Sequence, residues 1–482
     1  MRSSAGRRWP GVVATILLTA CSLGRYPHEE CTTNAECRVA FGFGYVCGDD
    51  GLCAEMATEE RCATAWPEDL LTRPENYRDA IVLGSLFDRS SDIPETQAAR
   101  LAVSQANDAE GLDGIQYGLV ECSYEENVEI DGLAMEDATA QAALWLADVA
   151  GATAIVGPAT SSQTTVAFST LNLENDFGTL MISPSATSPA LTELDGLDPT
   201  DQDPGLLWRT APPDSLQGTA MAVDMASNQV GIAKVAAVYE DGAYGTGLSD
   251  AFIDAFEGGG GVVDRFPFSD DSTRDAAVAS AGDASYDEVL FISGEITDIV
   301  AFLNGIPYIS GYADRPIFLA DGARDTALLT DTNADAKAYL PLVRGTAPAL
   351  PSGDNYEAFA AAYASAFSPG LASDSSYTPY TYDAMWLAIY GTAWSMYQSG
   401  SITGTGEAQG LRHISSGDEL VISSTGWYGL RAHFAEGQGV DVEGASGHLD
   451  YDPATEETTS PIDIWVVDDA VTGFETVYTV EP

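Results

Sequence analysis

The chain has 482 residues, 45% hydrophobic and 19% charged, which is more than one ordinary core holds and too apolar for a disordered chain. Its 73 acidic and 20 basic residues give a net charge of −53, spread along the whole length. That balance excludes nucleic acid as a partner and disfavours anionic lipid, since both recruit Lys and Arg. It describes a self-repelling, soluble surface of the kind that high salt screens.

At the N-terminus, Arg2, Arg7 and Arg8 precede a short apolar run, Val12 to Leu18, too short to span a bilayer. The segment Leu18-Thr19-Ala20-Cys21 follows, and small residues before a cysteine at this place resemble the bacterial lipobox. Residues 1–20 are then a signal peptide, Cys21 carries lipid, and Ser22 favours sorting to the outer membrane. An ordinary secretory signal is the other reading, and both readings export the chain. Six cysteines remain: Cys31, Cys37, Cys47, Cys53, Cys62 and Cys122. An even number in an exported chain argues for disulfides. The first four fall in a stretch too short to build a core, where bridges are the natural staple. Their spacing lacks the close pairs of a zinc knuckle, so no metal is expected there. Cys62, before the first core strand, and Cys122, at the end of the second, are left as partners.

From residue 79 strands and helices alternate. Ala80–Gly84 reads as a buried strand, 95–109 as an amphipathic helix with Leu101, Ala102 and Ala106 inward, and Ile115–Cys122 as a second strand. A helix over 134–149, centred on Ala142, Leu146 and Val149, leads to strands at 152–158 and 180–184, each ending in a loop. The rhythm restarts with strand 234–239, helix 247–256, a strand entry at 261–263, and strands at 288–292 and 316–319. Gly258 to Gly261 read as a helix stop. Such alternation predicts an α/β fold with two doubly wound, mostly parallel sheets and a ligand cleft at the strand ends.

Five segments, in order, carry a family likeness. They are Gly157-Pro158-Ala159-Thr160-Ser161-Ser162, the run Ile182 to Thr192, Trp208 to Gly218, Lys234 to Leu248, and Tyr380-Thr381-Tyr382-Asp383-Ala384. Together they resemble the type I periplasmic binding proteins of the branched-chain amino-acid (Leu/Ile/Val) family, which serve ABC importers. The resemblance implies two lobes joined by three crossings. Residues 21–75 form a lipidated Cys-rich tether, 76–210 and 343–445 the first lobe, 211–342 the second, and 446–482 a segment returning to the second. It also implies that the loops with Ser161, Ser162, Ser185, Ala186 and Thr187 hold a ligand α-carboxylate and that Tyr244 closes over it. Hydroxyls and N–H groups near helix starts suit an anion, although helix capping also explains them. Asp321 is the candidate partner for a ligand ammonium, and Glu295 stands where the family often has an aromatic. Solvated surface acids are the alternative for both. Leu86 to Ser91 departs from the family pattern, and Arg89 has no counterpart in it.

No catalytic or cofactor-binding group is expected. His28, His413, His433 and His448 are scattered, and no nucleophile elbow or phosphate loop is present in the sequence. Asp198, Asp201 and Asp203 lack the glycine and distal glutamate of a calcium hand. The expected function is an extracytoplasmic solute-binding lipoprotein that passes a small amino-acid-like ligand to an ABC permease of the branched-chain type. It would touch the membrane only through its lipid. A receptor lipoprotein signalling to a separate membrane partner is the alternative; a cleft hydrolase and a structural surface protein are the further rivals.

Overall fold

A computed structural model describes residues 30–127, 130–196, 198–228, 232–468 and 470–482. The expected lipidation site, Cys21, and the signal peptide lie outside these residues.

The chain opens with a small module. A helix over Asn34–Phe41 is started by a capping box between Thr33 and Glu36. The strands β1 (Tyr45–Cys47) and β2 (Cys53–Glu55) follow as an antiparallel pair. Disulfides Cys31–Cys47 and Cys37–Cys53 interlace across it, with Cα–Cα distances of 5.7 and 5.5 Å. The sulfurs of Cys31, Cys37 and Cys47 crowd within 4.8 Å because the two bridges lie side by side. In that state they offer no thiolate to a metal. The module docks through Arg38, whose guanidinium donates to the Asp148 and Val149 carbonyls, and through Asn34, which donates to Asp148 at 2.8 Å. Gly151 permits this fit: a Cβ there would stand 2.3 Å from the Arg38 Nε.

The first sheet holds β3 (Thr64–Trp66), β4 (Ile81–Phe87), β5 (Tyr117–Ser123), β6 (Ala154–Val156), β7 (Leu180–Ser183) and β8 (Leu207–Arg209). Its order is β3-β5-β4-β6-β7-β8, parallel except for the β3 edge. Antiparallel pairing of β3 with β5 brings Cys62 to Cys122, and the two are bridged. Strands β4 to β7 are buried throughout, as parallel strands covered on both faces must be. The second sheet holds β9 (Lys234–Glu240), β10 (Val262–Phe268), β11 (Glu288–Ile292), β12 (Ile317–Leu319) and β13 (Val343–Pro348). After a small parallel pair, β14 (Asp418–Val421) and β15 (Val440–Glu443), it is completed by β16 (Ile462–Val467) and β17 (Phe474–Val480). Its order is β10-β9-β11-β12-β13-β16-β17. Each sheet carries a hydrophobic cluster on both faces.

Four expectations need correction. Thr64–Trp66, expected in the tether, is the edge strand of the first sheet. Residues 446–458, expected in the second lobe, stay with the first, where Leu449 and Tyr451 join its core and Tyr451 donates to the Arg209 carbonyl. Residues 343–348 were expected in the first lobe, but β13 pairs with β12 and β16 in the second sheet, so the chain crosses back only after Pro348. The reason is Arg344, whose buried guanidinium sits between Asp224 and Glu288 of the second lobe. The helix from Met135 ends at Leu144 and continues as a π-helical turn to Ala150. The wider turn advances the buried face, so Ala150 is buried where Val149 was expected.

The long helix Thr378–Ser399 is buried on all sides from Thr378 to Ser395 and forms the backbone of the first lobe's core. Acids dominate the outside. Screening this repulsion should raise the melting temperature between about 0.1 and 2 M NaCl, where a protein of balanced charge changes little. A scan at fixed pH in the two salts measures it.

Candidate functional site

Both sheets share one topological device. In the first, β4 lies between β5 and β6; in the second, β9 lies between β10 and β11. Successive connections run to opposite sides of β4 and of β9, which opens a crevice at the strands' carboxyl ends. Every candidate site residue stands there. Ser161 to Ser162 follow β6, Ser185 to Thr187 follow β7, Tyr244 follows β9, Glu295 follows β11 and Asp321 follows β12. The two crevices face each other.

On the first lobe, the turn after β6 is built on Gly157. Its φ is +98°, and a Cβ would lie 2.4 Å from the Leu86 carbonyl oxygen, so only glycine fits. Thr160 caps the helix Ser161–Phe168 by accepting from Gln163 N–H. Ser161 is buried, and its hydroxyl accepts the Ser188 N–H at 3.2 Å. Ser185 donates to the Ala159 carbonyl at 2.8 Å, and the Ala186 N–H donates to Ser183. The Thr187 hydroxyl, by contrast, is buried without a hydrogen-bond partner. Loop closure therefore occupies Ser161, Ser185 and Ala186, while half-buried Ser162 faces Gly242 of the other lobe and Thr187 is the buried hydroxyl left over.

On the second lobe, Asp321 is nearly buried and collects three donors. Gln217 Nε2 reaches Oδ1 at 2.6 Å, the Tyr244 hydroxyl reaches Oδ1 at 2.5 Å, and the Tyr377 hydroxyl reaches Oδ2. Tyr377 begins the central helix of the first lobe, so this last bond crosses the cleft. A second crossing bond runs from the Ser188 hydroxyl to the Ala243 carbonyl at 2.7 Å. The lobes are thus closed on each other. Burial, then the nearby Asp321 charge, push the Tyr244 and Tyr377 phenols well above their ordinary range, so both remain donors.

Beside them is Asp214, at the start of the helix Asp214–Asn228. It is wholly buried, and its carboxyl oxygens form no hydrogen bond of good geometry, the Thr187 hydroxyl being the donor that acts on them. Its own N–H donates to the Thr187 carbonyl at 2.8 Å, which fixes the carboxyl next to the Thr187 hydroxyl. Burial and then the Asp321 charge raise its pKa far above the usual carboxylate value. Glu240 accepts from Ser293 Oγ at 2.8 Å and Gly294 N–H at 2.9 Å. Glu295 is exposed at the same rim; burial of its surroundings, then Glu240, Asp298, Asp92 and Asp88, raise it. Arg89 is turned to the Cys62 segment, donating to the Arg61 carbonyl at 3.0 Å.

Sequence reasoning brought Ser161, Ser185, Thr187, Tyr244 and Asp321 to one cleft but missed Asp214, Gln217 and Tyr377 as site groups. Asp214 and Gln217 were visible: three apart on one helix, they share a face. Tyr377 is 56 residues from the aspartate it binds, and nothing local marks it.

A family model described as "Periplasmic binding protein" matches residues 81–437. No curated protein sequence matches the chain. Among solved structures, the chain is similar to the substrate-binding protein LivJ of a branched-chain amino-acid transporter from Streptococcus pneumoniae, in complex with isoleucine. The identity is 20%, with 84% of this chain and 100% of that one covered and a TM-score of 0.61. The leucine-binding protein LivK from Thermotoga maritima is 18% identical over 84% and 99% of the chains, with a TM-score of 0.62. A solute-binding protein of an ABC transporter from R. palustris, in complex with 4-hydroxybenzoate, is 15% identical over 84% and 97%, with a TM-score of 0.61.

Proposed function

The chain belongs to the periplasmic binding protein family, whose members bind solutes for transporters without catalysis, and from that premise we propose that it captures a small amine-bearing, amino-acid-like ligand between its lobes for an ABC importer of the branched-chain type. The observation that carries this reading is Asp321 and Asp214 buried together at the closed contact, with the Thr187 hydroxyl beside them. A pair of buried carboxyls costs stability unless a cation or protons join them. A ligand ammonium supplies the cation and donates hydrogen bonds to acceptors of both lobes, which favours closure. The Thr187 hydroxyl stands beside the ammonium, and the other polar groups of the loops after β6 and β7 take the ligand's far end. The lobes turn about three crossings, near 210–213, 349–353 and 459–461.

The sequence Leu18 to Cys21 supports anchoring by lipid at Cys21, in the bacterial envelope and at the outer membrane. Among the described residues no helix is long and apolar enough to cross a membrane. The disulfide module packed on the first lobe suits a second reading, a receptor whose closure a separate membrane protein reads.

Thermal melts against a panel of amino acids, amides, amines and benzoates test the assignment. A true ligand at a hundredfold excess over Kd adds about 2.7 kcal/mol. Asp321→Asn should weaken that ligand about a hundredfold and Thr187→Val about tenfold, both read by calorimetric titration. Unchanged affinity in both variants sinks the site.

A further inference from the structure

The acid pair at Asp214 and Asp321 is one end of a longer acidic wall. Tyr377, which donates to Asp321 through its hydroxyl, donates its backbone N–H to the Ser375 hydroxyl at 3.1 Å. That hydroxyl in turn donates to the Glu95 carboxylate. Glu95 is 5% exposed and lies in the first turn of the helix Ile93–Asp108. Its residue spacing puts it on the stripe of Ala98, Ala99 and Ala102, all buried, so an acid stands where the helix otherwise presents core. The charged groups around it are Asp92 of its own lobe and Asp325 of the other, both acids. Asp325 caps the helix Thr326–Thr330, and Asp92 accepts from Tyr124 and the Asp88 N–H; neither supplies a cation.

Nearby cations are already committed. Arg209, the cation that acts on Asp214, donates to Glu457 through Nε at 3.0 Å and through Nη2. Arg324, beside Asp325 in the chain, pairs with Asp463 at 3.3 Å. Arg274 pairs with Asp298 at 2.6 Å. The wholly buried Asp214 carboxyl, whose oxygens have no hydrogen bond of good geometry, leaves room for a ligand donor at one end. Glu95, with Ser375 as its one side-chain donor and acids as its charged neighbours, offers a second such place at the far end of the same hydrogen-bonded chain. Among the described residues these cations are already paired, which disfavours an anionic ligand, and an aliphatic amino acid leaves Glu95 unanswered.

We infer that the cleft takes a ligand with two separated cationic centres, an α,ω-diamine or a diamino acid, with one ammonium at Asp321 and Asp214 and the other at Glu95. This rests on the cleft being the ligand site, and it narrows the ligand class.

The test compares L-lysine with L-norleucine, which keeps the chain length and lacks the distal ammonium, and adds cadaverine, L-leucine and benzoate. The whole exported, disulfide-bonded protein is used in calorimetric titration. Lysine or cadaverine should bind about ten- to a hundredfold more tightly than norleucine, and cadaverine binding without lysine identifies a free diamine as the ligand class. Glu95→Gln should bring the lysine-to-norleucine ratio close to one. Equal binding of lysine, norleucine and leucine overturns the second centre and leaves the amino-acid reading standing. Binding of benzoate alone, or of none of the five, overturns both. A ratio that Glu95→Gln leaves intact overturns the role of Glu95. The wild-type comparison decides the matter even if that variant does not fold.

Discussion

Replacing Arg344 by alanine should cost about 3–5 kcal/mol of folding stability, the range for breaking a buried ion pair from one side. Arg344 lies in β13 and joins three elements of the second lobe. Its Nε donates to Asp224 at 2.5 Å, and its Nη1 and Nη2 donate to Glu288 at 2.6 and 3.2 Å. The guanidinium also stands over the Phe318 ring, and Tyr478 donates to the second oxygen of Asp224 at 2.7 Å. Both acids are buried, so the alanine variant strands two carboxyls without a cation. Burial already pushes Glu288 up to about 7 against the pull of Arg344. A pKa raised on folding gives stability that is present at low pH and lost as pH rises, and removing the arginine raises it further. The deficit should therefore be larger at pH 8 than at pH 5. Urea midpoints at the two pH values, read by circular dichroism, check both the size and the sign. Equal stability of variant and parent at pH 8 would refute the account.

Glu407→Gln should act in the opposite direction. Glu407 is wholly buried in the first lobe, where Thr153 donates to Oε1 at 2.7 Å and Oε2 has no partner. Burial pushes its carboxyl up to about 8. The folded protein holds this proton more tightly than the unfolded chain does. The stability tied to it is complete below about 4.5 and is lost as pH climbs to about 8, a swing of up to about 5 kcal/mol. Glutamine keeps the acceptor for Thr153 and carries no charge. The variant should equal or slightly trail the parent at pH 4.5 and exceed it by a few kcal/mol at pH 8. Melting temperatures across that interval measure the crossover; parallel curves would show that the parent glutamate does not titrate there.

The two α/β lobes were legible because their central strands are short apolar runs that fill both faces, and 288–292 is read to the residue. β13 was hidden, since Arg344, Gly345, Thr346 and Pro348 break the apolar pattern and only the acids of the other elements make a buried arginine tolerable. The π-helical turn at 145–150 leaves no mark in composition. In the site, the serine- and threonine-rich loops after β6 and β7 stand out, but which hydroxyl remains unpartnered depends on Ser183, Ser188 and Ala159 in three dimensions. The acid on the apolar stripe at Glu95 was a readable signal that went unused, because 73 acids make any one of them look like surface.

The docked N-terminal module also sets a path for mechanical load. A pull applied at residue 30 enters a unit cross-linked twice, Cys31–Cys47 and Cys37–Cys53. From there it passes through Cys62–Cys122 directly into β5, without peeling β3 from the sheet edge. Force therefore ends covalently inside the first lobe, while the second is joined to it by the crossings and by the hydrogen bonds across the cleft. Whatever holds the N-terminal end fixes one jaw, and the other swings.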